Sequence, residues 1–62
     1  MHLQEAFSYL KKTLGTDRAC ADFLGYTQNH FNALIRGRKH ISEKTAIFII
    51  DKAKRLKENQ GD

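Results

Sequence analysis

Apolar residues recur along this chain at spacings of three and four, the pattern of helices that bury one side. Leu3, Phe7, Leu10 and Leu14 form the first such stripe, and Gln4, Glu5, Ser8, Lys11 and Lys12 fill the opposite side. The spacing predicts a helix over about residues 2–14, with Gly15 placed to end it in a left-handed conformation. Thr16 is positioned to cap a second helix over 17–24, which carries Ala19, Cys20, Phe23 and Leu24 and ends at Gly25. Thr27 stands as N-cap of a third helix over 28–36, with Gly37 behind it. Ser42 caps a fourth over 43–57, on which Ala46, Ile49, Ile50, Ala53 and Leu56 gather on one face. The tail 58–62 is polar and is expected to fray. No stretch alternates apolar and polar residues over strand length, so the pattern predicts an all-α fold of four short helices, five at most, and no sheet.

Length and composition narrow the picture. Sixty-two residues suffice for one domain, 1–62, with a thin core and no deep substrate cleft. Cys20 is the only cysteine, which excludes an intrachain disulfide or a cysteine-based zinc site and agrees with a reducing compartment. The longest apolar run, 46–50, is far shorter than the roughly 20 residues of a membrane span, and the N-terminus lacks a charged-then-apolar leader, so neither export nor anchoring is expected. Eleven Lys and Arg against seven Asp and Glu give a net charge of +4, a balance that favours polyanionic partners.

The third helix is where charge and pattern combine. On a wheel, Phe31, Leu34 and Ile35 fall within one arc of roughly 100° and form its core side. The opposite arc carries Gln28, Asn29, Asn32, Ala33 and Arg36, with His30 at its flank. A helix that merely faces water is usually laced with Glu and Lys pairs at spacing four; this face has amides, a guanidinium and no acid. Asn or Gln can pair bidentately with adenine and Arg with guanine, while a small Ala permits close approach and contact with a thymine methyl. The missing carboxylates avoid repulsion from phosphates. A groove-reading helix must also be held out by a partner helix through a tight, often glycine-containing turn, and Gly25-Tyr26-Thr27 is of that kind. Ala21, four residues before Gly25, lets the two helices approach.

With Ala21 at the small position, Gly25 at the turn, Phe31 and Leu34 at two core positions and Gln28 opening the reading helix, the chain resembles the lambda-repressor-like helix-turn-helix proteins, and among them the Cro-like repressors of phages. The resemblance covers about residues 16–56. It implies a repressor in the cytoplasm of a bacterial host, acting by occupying a near-palindromic double-stranded DNA operator as a weak homodimer or a dimer formed on DNA. It implies that Gln28, Asn29 and Asn32 face bases while the start of the second helix and the loop after the third hold phosphates; the helix wheel adds Ala33 and Arg36 to the base-reading candidates, and Arg18, Thr27, His30, Arg38, Lys39 and His40 are the candidates for backbone contact. The residues agree with that division: Arg18 lies in the first turn of a helix, where the dipole favours an anion, and the others cluster around and after the reading helix. Asp17 departs from the Gln common at the start of the family's second helix, and its carboxylate suits capping better than phosphate binding.

Ile47 and Phe48 do not fit the core face of the fourth helix, and Phe48 projects among Lys44, Lys52 and Arg55. They are candidates for a twofold interface that would bring two copies to two half-sites. No enzyme, cofactor, metal or small-molecule ligand is expected: His2, His30 and His40 are dispersed, no carboxylate pair marks a pocket, and single glycines ten or more residues apart form no phosphate loop. The alternative from another class is a protein-binding antitoxin or adaptor built on the same helices. An RNA-binding domain fits less well, because the third helix offers no aromatic stacking platform on its exposed face.

Overall fold

The computed structural model describes residues 2–60, in which four helices follow one another without a strand: α1 (Leu3–Leu14), α2 (Asp17–Leu24), α3 (Gln28–Ile35) and α4 (Glu43–Asn59). Three of the four begin on the caps foreseen. The hydroxyls of Thr16 and Thr27 accept from the N–H groups of Ala19 and His30 at 3.1 Å, and Ser42 Oγ accepts from Thr45 N–H at 3.3 Å. Each bond satisfies a backbone donor that the first helical turn leaves without a partner.

The boundaries differ from expectation at several ends. His2 is the N-cap of α1 and not part of it, and its side chain makes no capping bond. Gly15 does take a positive φ of 91°, but with ψ −42° it lies outside the left-handed helical basin. Arg36 caps α3 instead of extending it, because Arg38 N–H turns back to Ala33 O at 2.9 Å and Gly37 N–H to Leu34 O at 3.3 Å, the doubled closure of a Schellman motif. The polar end of the chain does not fray from residue 58: Glu58 and Asn59 are helical, and Gln60 N–H still donates to Leu56 O at 3.1 Å. No Gly or Pro interrupts 43–60, and Lys57 in the last turn complements the negative helix end. Gly61 and Asp62 of the expected tail lie outside the described residues.

The core is a single cluster drawn from all four helices: Ala6, Phe7 and Leu10; Cys20, Ala21 and Leu24; Phe31 and Leu34; Ile49 and Ala53. Phe31 is fully buried at its centre and meets the Phe7 ring edge-on, centroids 5.9 Å apart. On α4 only Ile49 and Ala53 are buried; Ala46, Ile50 and Leu56 are half-buried at the margin. Lys11 at the end of α1 and Asp17 at the start of α2 form an ion pair at 2.7 Å, so the carboxylate fastens two helices together. Among the described residues, no helix is long and apolar enough to cross a membrane.

Candidate nucleic-acid interface

The turn between α2 and α3 decides how α3 is presented. Gly25 takes φ 82°, ψ 24°, a left-handed conformation that a residue with a Cβ adopts only at a cost. The chain then reverses with Tyr26 N–H donating to Ala21 O at 2.8 Å. Beyond it, Thr27 caps α3, and Phe31 and Leu34 fix the rotation of that helix by burying one side of it.

The remaining side carries the polar residues singled out from the sequence. Gln28, Asn29 and Arg36 are exposed, and Ala33 between them is half-buried. Asn32 departs from the expected outward placement: it is half-buried, and its Oδ1 is shut away from solvent with no hydrogen-bond partner. In that rotamer it cannot offer the acceptor and donor together that a bidentate pair with adenine requires. Gln28 and Asn29 are therefore the amides that stand free on α3. The helix has no acidic residue in its first turn.

Arg18 is exposed in the first turn of α2, and Arg38, Lys39 and His40 are exposed on the loop after α3. The start of that loop is tied down, since both Arg38 and Lys39 donate their N–H groups to Ala33 O, at 2.9 and 3.3 Å. Among the described residues, the two ion pairs engage Lys11 with Asp17 and Arg55 with Asp51, so Arg18, Arg36, Arg38 and Lys39 carry charges that no carboxylate neutralises. No hydrogen bond or ion pair among the described residues joins Arg18, Arg38 or His40 side chains to the rest of the set.

One part of the set is assembled. The Lys39 ammonium lies 3.4 Å from His30 Nδ1, and the imidazole sits 4.7 Å, centroid to centroid, from the Tyr26 ring. Tyr26 in turn meets the Phe48 ring edge-on at 6.1 Å. Phe48 is thus not isolated among cations: its partner is Tyr26, while Lys52 lies 4.8 Å over the Phe23 ring. Phe48 remains 40% exposed and Ile47 59%. Tyr26 is the member that reading the turn as Gly-Tyr-Thr overlooked; the signal available was an aromatic four residues before His30, at the spacing that brings side chains together near a helix start.

Comparison with family models, with curated proteins and with solved structures returned no match for the chain.

Proposed function

We propose that the chain is a sequence-specific, double-stranded DNA-binding repressor of the Cro-like kind, with α2, its turn and α3 serving as a helix-turn-helix. The observation that carries this reading is the outer face of α3. It holds exposed Gln28 and Asn29, with Arg36 at its C-cap and no acid, and the buried Phe31 and Leu34 lock it outward in a chain whose Arg18, Arg38 and Lys39 also lack carboxylate partners among the described residues. Amides and guanidinium on a helix that fits the major groove supply base readout. Arg18, Thr27, His30, Arg38, Lys39 and His40 supply backbone contacts, which fix register and give affinity without sequence information. Asn32 joins the readers only by turning its amide outward on DNA. With one reading helix per chain, a palindromic operator calls for two copies, and exposed Ile47 on α4 is the apolar residue free to join them. Repression by occupancy in a bacterial cytoplasm completes the proposal.

Selection from a random duplex library at near-physiological salt, followed by sequencing of the bound pool, tests it. The expected result is a palindrome whose half-sites lie about one helical turn apart. Recovery of no motif, with binding that vanishes as salt rises, sinks the repressor reading and favours the antitoxin or adaptor alternative.

A further inference from the structure

The corner formed by Tyr26, His30 and Lys39 has a chemistry of its own. An ammonium carries three N–H donors and no acceptor, so in the 3.4 Å contact between Lys39 Nζ and His30 Nδ1 the ring nitrogen supplies the lone pair. That donation requires the tautomer with its hydrogen on Nε2. A proton on Nδ1 removes the lone pair and sets two cations side by side where a hydrogen bond had been. A phosphate oxygen reverses the preference, because an anion placed against both groups accepts from the ammonium and from a protonated Nδ1 in charge-assisted bonds. The Tyr26 ring, 4.7 Å from the imidazole, favours a cation there as well.

The groups in contact with His30 come from two elements. The α2–α3 turn contributes Tyr26, and the loop after α3 contributes Lys39, flanked along the chain by Arg38 and His40. From α4 the Phe48 ring backs Tyr26, and the nearest α4 cations in sequence are Lys44 and Lys52, the latter held over Phe23. Among the described residues, neither ion pair involves this corner.

We propose that His30 and Lys39 form a two-pronged site for a single backbone phosphate, and that filling it takes up a proton on His30. The site rests on the DNA-binding reading above and adds to it a specific ligand group and a proton. Because the complex favours the charged imidazole, the added affinity is present at the acid end of the imidazole range and is lost as pH rises through it.

The test is equilibrium binding of a labelled, mixed-sequence DNA duplex at fixed salt, at about pH 6 and about pH 8, for the wild-type protein, His30→Gln and, as the control outside the binding set, His2→Gln. A single exposed charge contact corresponds to wild-type binding about two- to fivefold tighter at the lower pH. His30→Gln abolishes that ratio and His2→Gln keeps it. Calorimetry of wild-type binding in two buffers of different ionisation enthalpy should register proton uptake, which His30→Gln removes; circular dichroism verifies that the half-exposed substitution leaves the helices intact. A wild-type ratio of one, or a ratio that survives in His30→Gln or disappears in His2→Gln, overturns the proton-linked site while DNA binding stands. Failure of the wild-type protein to bind duplex at either pH overturns the DNA-binding reading and this site with it.

Discussion

Two opposing demands meet at Asn32. Its Oδ1 is buried without a partner, which costs about 1–3 kcal/mol for a neutral polar group, and Asn is a poorer helix former than Ala by up to about 0.7 kcal/mol. Asn32→Ala should therefore raise the unfolding free energy by about 1 kcal/mol in urea denaturation, even though it removes a candidate reader. A destabilised Asn32→Ala would mean that the oxygen has a partner after all. Gln28 and Asn29 face no such conflict, so replacing either by Ala should relax preference at one base pair by about 1–3 kcal/mol and leave stability nearly unchanged. Neutralising Arg38 or Lys39 should instead weaken binding to every sequence and flatten the slope of log K against log salt by about 1. Equal effects from the amides and the cations, read from binding to a panel of single-base operator variants, would erase the distinction between reading and anchoring. Cys20 belongs to the core and gives a different pH signature. Burial pushes its thiol above the ordinary value of 9.0, the Asp17 charge adds to the rise and Lys11 partly opposes it. The folded state keeps its proton where the unfolded chain loses it, so this contribution is complete below about pH 9 and is lost as pH rises further. The urea midpoint should fall between about pH 8 and about pH 10, and Cys20→Ala, less stable at neutral pH for its lost volume, should show a shallower fall.

At the scale of the elements, what was legible in the sequence is what local chemistry decides. Thr16, Thr27 and Ser42 each bind an N–H only three residues on, so the starts of α2, α3 and α4 could be read from those residues and the apolar stripe that follows them. Ends without such a group were harder. His2 caps α1 with its backbone alone, and α4 runs on through Glu58 and Asn59 because polar composition does not stop a helix where no Gly or Pro intervenes. The turn before α3 offers a measurement. An added Cβ at Gly25 meets no atom within 4 Å, so the cost of a substitution is backbone conformation and not crowding. Gly25→Ala should lose about 1–2 kcal/mol, and Gly25→Asn should lose less, since Asn tolerates the left-handed region. Equal losses in thermal or urea unfolding would contradict the conformational account. The candidate site divides the same way: Gln28, Asn29 and Arg36 were legible from helical periodicity, whereas the inward turn of the Asn32 amide depends on how α3 is seated, which periodicity does not encode.

On the scale of the whole molecule, the contact least visible in the sequence is Tyr26 with Phe48, which joins the turn before α3 to α4 across a long stretch of chain. That contact changes which residue can report on self-association. Replacing Phe48 by Ala removes an aromatic pair worth about 0.5–1.5 kcal/mol beyond its buried area, and it frees Tyr26 beside His30. Loss of DNA binding in Phe48→Ala would thus mix a loosened fold with a lost interface. Ile47 is the cleaner probe: it is 59% exposed and borders a shallow hollow on α4 with Ile50, Asp51 and Lys54. Asp51 is paired with Arg55 on its own helix, an exposed ion pair that the Lys54 of a second copy can join across a twofold axis. The molecule measures 33 Å in its longest direction and carries one α3, so two grooves about one helical turn, or roughly 34 Å, apart are reached by two copies and not by one. Ile47→Glu should leave unfolding within about 0.5 kcal/mol of wild type. It should also leave binding to an isolated half-site unchanged, while affinity for the full palindrome falls on the order of tenfold or more. If Ile47→Glu bound half-site and palindrome as the wild-type protein does, α4 would not be the joining surface, and the two copies would have to be coupled through the DNA alone.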